Sequence, residues 1–220
     1  MPERAPVEHR AWLLASLIAG ISFYFVKDAA MPAPALVAWK GAGVALLAVW
    51  ALARHKGADS RQIAAVMTFG ALGDVLIEWM LAAGAIAFLI GHLIAIHFYW
   101  RQRRCALPFS QKAAALAMLV LIPAIAFLLP TDRSAAPGIT LYAIGLSAMT
   151  AAAWLSRFPR YRVGIGAVMF AASDLLIFAH MGALSASPLP GMLIWLLYYF
   201  GQFLICTGVI GALRPPPTPR

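Results

Sequence analysis

Apolar residues run along this chain in stretches of about 20, the length a membrane-crossing helix needs. Cut at charged clusters and at Pro or Gly breaks, the sequence yields eight of them. They fall near 11–26, 35–53, 62–82, 84–100, 113–130, 138–155, 163–181 and 191–213. The weakest break lies between the third and the fourth, where Ala82, Ala83 and Gly84 intervene. An uninterrupted helix over residues 62–100 would be about 58 Å long, too long for one crossing, so a tight hairpin is expected there. The prolines respect the map. Pro32, Pro34, Pro108, Pro130, Pro137, Pro159, Pro188, Pro190 and the Pro215–Pro217 run fall at or beyond helix ends, where a missing N–H costs least. Pro123 lies inside span five and predicts a kink.

Composition narrows the class. The chain is 63% hydrophobic and 11% charged over 220 residues, with mean hydropathy +0.83. A soluble domain carries about a quarter charged residues, and a disordered chain is far less apolar. Two cysteines do not make a disulfide scaffold. The fold class read here is all-α: one polytopic domain of eight transmembrane helices.

The net charge of +9 is then a question of position. Arg4, Arg10, Arg54, Lys56, Arg61, Arg101, Arg103, Arg104, Lys112, Arg157, Arg160, Arg162, Arg214 and Arg220 all fall on one side of an eight-span map, which leaves Lys27 and Arg133 for the other and Lys40 within a span. By the positive-inside rule this places both termini in the cytoplasm, with a bacterial inner membrane as the expected location. The cations set topology, so no nucleic-acid partner is inferred. Residues 1–10 with the apolar run to Phe25 imitate a signal peptide, but cleavage would leave an odd number of spans.

Residues 66–77, VMTFGALGDVLI, resemble 166–177, GAVMFAASDLLI. At an offset of 100, Ala71/Ala171, Asp74/Asp174, Leu76/Leu176 and Ile77/Ile177 coincide, as do Tyr99 and Tyr199. Four spans per half is an even number, so both halves enter the membrane the same way. A parallel four-plus-four repeat is expected, with halves of about 1–105 and 106–213 and the two aspartates in equivalent places.

Ionisable groups at membrane depth are costly, and their default reading is functional. The set is Lys40 in span two, Asp74 and Glu78 in span three, His92 and His97 in span four, and Asp174 in span seven. Tyr142, Tyr198, Tyr199 and Gln202 add hydrogen-bonding capacity. At 1.5 Å per residue, both aspartates lie about 20 Å from the cytoplasmic face, and His92, Lys40 and Tyr198 come near the same level. One buried site in the outer half of the membrane is expected. Glu78 shares a face with Asp74 by i,i+4 spacing. His97, five residues beyond His92, faces elsewhere. Gly70, Gly73 and Gly91 suit close helix packing. A metal site is not expected, because His92 and His97 cannot face one ion from a regular helix and zinc needs three or four ligands. Ser173 has no evident base to make it a nucleophile.

With these residues in view, the sequence is recognisable. GALGDVLI at 70–77, AFLIGHLIAIHFYW at 87–100, GAVMFAASDLLI at 166–177 and YYFGQFLI at 198–205 together resemble the YhhN family, integral membrane hydrolases whose characterised members are lysoplasmalogenases. The resemblance covers all eight spans. It carries the family pattern onto Lys40, Asp74, His92, Tyr99, Asp174, Tyr198 and Gln202, and Tyr199 and Glu78 adjoin that set. Two positions depart from the pattern. Gly41 follows Lys40 where the family usually has Pro, and Glu78 stands where apolar residues are usual.

The activity implied is hydrolysis of the vinyl ether of a 1-alkenyl lysophospholipid, giving a fatty aldehyde and glycerophospho-ethanolamine or -choline. Such ethers hydrolyse by protonation at carbon, and water traps the resulting oxocarbenium ion. Two carboxyls in a low-dielectric layer can divide the work, one as general acid and one stabilising the cation, as paired carboxylates do in glycoside hydrolysis. Asp74 and Asp174 are the expected catalytic pair. His92 and Tyr198 would tune them and Lys40 would bind phosphate. No organic cofactor is required. The partners expected are the lysophospholipid substrate and the bilayer. An intramembrane aspartyl protease and a proton-coupled transporter also place carboxylates in the membrane. Against the first, Asp174 follows Ser173 where a tyrosine is expected. Against the second, the polar layer sits at one depth.

Overall fold

Each of these apolar stretches becomes a helix in the computed structural model, which describes residues 10–213. The helices are α1 Arg10–Val26, α2 Ala33–Arg54, α3 Ala58–Leu76, α4 Leu81–Arg101, α5 Phe109–Leu128, α6 Ala136–Leu155, α7 Ile165–His180 and α8 Leu189–Ala212. A π-helical turn, Arg160–Gly164, leads into α7. No named strand occurs among the described residues. Arg4, Arg214, Arg220, the Pro215–Pro217 run and the placement of both termini lie outside the described residues.

Pro34, Pro137 and Pro190 sit in the first turns of α2, α6 and α8, where no intrahelical bond needs their N–H. Pro123 lies within α5 without ending it. Six segments are long and apolar enough to cross a membrane: α2, α4, α5, α6, the π turn with α7, and α8. Helix α1 is apolar but shorter, at 17 residues. Helix α3 carries Asp59, Arg61 and Asp74 in 19 residues and falls outside the six. Large apolar side chains such as Ile18, Phe25, Leu116, Leu128 and Leu141 point outward, as a lipid-facing surface requires. The chain is an integral membrane protein of helical type.

One boundary differs from the expectation. The third span was expected to run to residue 82, with its break at Ala82–Gly84. Instead α3 ends at Leu76, the turn occupies 77–80, and α4 begins at Leu81. Alanines favour helix over turn. Gly84 serves packing: a Cβ there would lie 2.7 Å from the Cβ of Ile77, so only glycine lets α4 start so close to the end of α3. The correction moves Glu78 out of a span and into an exposed turn.

Helices α1 to α4 pack in succession, α5 pairs with α6, and α7 pairs with α8. The two sets join where α4 meets α6 and α8 meets α2. At one end, Arg157 N donates to Gln102 O (2.7 Å), Arg104 N to Leu155 O (3.1 Å), and Gln102 Nε2 to Asp59 Oδ2 (2.9 Å). These bonds bind the 4–5 and 6–7 connections to the start of α3. At the opposite end, Thr131 N donates to Met181 O and links the 5–6 and 7–8 connections. The cation-rich loops are thus gathered at one end of the bundle.

Candidate active site

Asp74 lies half a turn from the end of α3, beneath the 77–80 turn, and its side chain is buried. From α8, Tyr198 Oη donates to Asp74 Oδ2 at 2.8 Å. Asp174, in the second half of α7, is buried in the same way. From α6, Tyr142 Oη donates to Asp174 Oδ2 at 2.6 Å, and His92 Nε2 of α4 lies 3.1 Å from the same hydroxyl. Each carboxylate therefore has a tyrosine from another helix as partner, which offsets the cost of holding a polar group in the apolar layer. Phe88 and Phe170 stand between the two arms. The Phe170 ring centroid is 5.3 Å from both His92 and Tyr198, and that of Phe88 is 5.8 Å from Tyr198.

Glycines make the approach possible. A Cβ at Gly70 would lie 2.8 Å from Gln202 Nε2 and 3.4 Å from Tyr198 Oη, and one at Gly73 would meet the Phe88 ring at 2.7 Å. Helix α8 thus reaches the side chain of Asp74 because α3 presents no side chain at position 70.

Three spaces surround the pair. A chamber of about 400 Å³, at the end of the bundle opposite the cation-rich loops where α1, α2 and α8 border it, is lined by Lys27, Lys40, Glu78, Trp79 and Trp195. Lys40 Nζ donates to Glu78 Oε1 at 2.5 Å, with side chains 18% and 43% exposed. Asp74 is one helical turn before Glu78, and Tyr198 one turn beyond Trp195, so this chamber stands over the Asp74–Tyr198 pair. A second space, about 390 Å³ and almost wholly apolar, lies between α4, α6 and α7 with Tyr142 and Asp174 in its wall. The third, about 20 Å³, lies deeper between the arms and is bordered by His92, Tyr99, Gln202 and Gly70. A space of that size fits one water molecule. Tyr99 is buried and its hydroxyl has no hydrogen-bond partner among the described residues.

Most of the residues picked from the sequence converge here. His92, Tyr99 and Gln202 border the small cavity, Asp174 stands with Tyr142 in the wall of the apolar cleft, and Asp74 pairs with Tyr198 one turn below Glu78, which with Lys40 borders the charged chamber. Tyr199 does not join them. Its hydroxyl pairs with Ser16 Oγ of α1 at 3.0 Å, and its ring stacks on Trp195. Successive residues of a helix are about 100° apart, so Tyr198 and Tyr199 cannot serve one point. His97 is exposed, as its spacing predicts. Tyr142 was noted for hydrogen-bonding capacity but left out of the site set, yet it holds Asp174. Its signal was a tyrosine in the first half of an uncharged, mostly apolar span. Among the described residues no group of three or more His, Cys, Asp and Glu could hold a metal ion.

The class these features define is a helical membrane protein with two buried carboxylates, each held by a tyrosine, beneath a charged mouth. The YhhN family model matches residues 35–209, and the chain belongs to that family. It is 32% identical over 181 residues to proteins named lysoplasmalogenase from Mycobacterium bovis and Mycobacterium tuberculosis, across 78% of this chain and 69% of each relative. No solved structure matches it.

Proposed function

We propose that the chain is a membrane enzyme that hydrolyses the vinyl ether of 1-alkenyl lysophospholipids, releasing a fatty aldehyde and a glycerophospho-base. The carrying observation is the pair of buried aspartates lying between a charged outer chamber and an apolar cleft. A lysolipid has that same polarity, with a phosphate headgroup at one end, a hydrocarbon chain at the other and the ether between them. The name of the mycobacterial relatives agrees with the reading.

One aspartic acid transfers its proton to the ether's outer vinyl carbon. The carbon–carbon double bond is consumed and an oxocarbenium ion forms at the oxygen-bearing carbon. The second carboxylate stabilises that cation. A water molecule adds to the cationic carbon and releases a proton, which restores the acid. The hemiacetal collapses to aldehyde and alcohol. The small cavity beside His92, Tyr99 and Gln202 suits the attacking water. Tyr198 and Tyr142 orient the carboxylates through the bonds described above, and His92 fixes Tyr142. The two acids act as a coupled unit.

In the outer chamber Lys40 would take the phosphate, and Glu78, released from its ion pair, the ammonium of ethanolamine or choline. Lys40→Met is expected to raise KM by about tenfold or more, since bonds to charged groups contribute about 1.5–3 kcal/mol. Glu78→Gln is expected to erase the preference for zwitterionic over purely anionic headgroups. Steady-state kinetics across a headgroup series checks both, and unchanged KM and selectivity would remove these residues from substrate binding.

Eight crossings, both termini in the cytoplasm of a bacterial inner membrane, and one domain built from two halves of about 1–105 and 106–213 complete the proposal. The halves gain support from α2 packing on α8 as α6 packs on α4. The gathering of Arg54, Arg61, Arg101, Arg103, Arg104, Arg157 and Arg160 at one end supports the orientation.

The test offers purified protein a lysoplasmalogen and an ester lysophospholipid. Aldehyde release from the first alone is expected. Flux across proteoliposomes without product would favour a transporter, and cleavage of a transmembrane peptide an aspartyl protease.

A further inference from the structure

Helices α4, α6 and α7 enclose the apolar cleft as three parallel ladders. At its outer rim stand Leu81, Ala135 and Met181, each at or next to the end of its helix. At its floor stand Leu89, Tyr142 and Asp174. From Leu81 to Leu89 the helix rises about 12 Å, so the cleft reaches well into the apolar layer. Its volume of about 390 Å³ lies within the range of about 300–1,000 Å³ for small-molecule sites. The polar residues in its wall are Tyr142 and Asp174, both at the inner end. Its flank opens to the lipid-facing surface, where Ile86 is 60% and Leu141 67% exposed.

This shape is informative about an occupant. Water gains nothing in a cleft that is apolar down to one carboxylate. A protein helix is about 10 Å wide with its side chains and needs a far longer groove. A single hydrocarbon chain needs a narrow apolar slot that is open sideways to the bilayer, and one end of it must meet the acid. We propose that this cleft holds the alkenyl chain of the substrate, which slides in between α4 and α6 directly from the outer leaflet and places its first carbons against Asp174. The proposal rests on the reading of the site as a lysolipid hydrolase, and adds to it the route, the chain site and the residue that sets chain length.

That residue is Gly138. It borders the cleft one turn below the rim of α6, and a Cβ built there meets nothing within 4 Å. Glycine is not needed at this position for backbone or packing, and a larger residue there also improves helix propensity. The space left open at 138 is the width available to the chain.

The experiment compares wild type with Gly138→Phe in detergent and in nanodiscs. The probes are saturated 1-alkyl lysophosphocholines, which lack the vinyl ether and cannot be hydrolysed, of hexadecyl and butyl length. Expected is a loss of hexadecyl binding of about tenfold or more, with butyl binding and the thermal unfolding temperature unchanged, because a four-carbon chain that starts at the floor ends before Gly138, which lies about 6 Å above Tyr142. A hexadecyl probe with a diazirine at its eighth chain carbon, used on the wild-type protein, should label residues of 81–89 and 135–142. Equal binding of both probes to variant and wild type, or labelling confined to α5, would overturn the proposal. The photolabel decides the matter on wild type even if Gly138→Phe fails to fold. Chain binding is scored without turnover, so the two readings separate. Loss of hexadecyl binding in the variant of a protein that hydrolyses no vinyl ether would sink the enzymatic reading and keep the chain site. Hydrolysis with no effect at Gly138 would do the reverse.

Discussion

Asp174→Asn and Asp74→Asn are each expected to lower kcat on a lysoplasmalogen by about 10²–10⁴-fold, the usual contribution of a positioned general acid or base. Asparagine keeps the volume of the side chain, and its carbonyl oxygen can still accept the hydroxyl of Tyr142 or Tyr198. Both variants should therefore fold, which a thermal unfolding curve in detergent will show. The double variant is the sharper measurement. Groups that act as a unit lose most of their effect with the first removal. The double loss should be close to that of the worse single variant, well short of the product of the two. Full turnover in either single variant would end the two-carboxylate mechanism. A strictly multiplicative double loss would show that the two groups act in separate steps.

The second large effect concerns packing. In α7 a Cβ at Gly166 would stand 2.6 Å from the carbonyl oxygen of Gly201 and 3.1 Å from the backbone N of Ile205, both in α8. Backbone atoms cannot rotate away, so the helices themselves must separate. Gly166→Val is expected to cost about 1–3 kcal/mol or more, the scale of overpacking in a filled core. The damage should reach the site, because Tyr198 is one turn from Gly201 on the helix that would be displaced. Unfolding temperature and turnover should fall together. Gly211→Val is the control, since nothing lies within 4 Å of a Cβ at that exposed position. Equal behaviour of the two variants would show that the α7–α8 contact does not support the site.

Much of this arrangement was legible in the chain itself. The helices follow from the lengths of the apolar stretches and from prolines at their ends. Asp74, His92 and Asp174 stood out because polar groups at such depth need a reason. The α3–α4 turn was harder to place. In a run of alanine and glycine there is no charge at 82–84 to mark a break, and the charge that does mark it, Glu78, reads as part of a span when counted from the wrong glycine. Gly84 was taken as punctuation when its lost side chain makes room for Ile77. Tyr199 was grouped with Tyr198 and Gln202 by i,i+3/i+4 spacing, but its hydroxyl turns to Ser16 of α1, a partner that spacing within one helix does not reveal. The pairing of Tyr142 with Asp174 was beyond reach, since it depends on the rotation of α6 about its own axis, which an apolar sequence with no polar face does not reveal.

The early end of α3 reaches beyond the site. From residue 62 to residue 76 this helix offers an apolar length of about 22 Å, and α1 with its 17 residues about 25 Å, against a hydrocarbon core of about 30 Å. Neighbouring helices such as α8, with 24 residues, match the full thickness. Under the proposed eight crossings these two helices fall short of the core thickness, and the bilayer would thin or admit water there at a cost of fractions of a kcal/mol per Å. Under that proposal the membrane surface would dip over Lys40 and Glu78, so hydrated headgroups would descend towards the two aspartates and a surface-bound lipid would reach them without being lifted out of its leaflet.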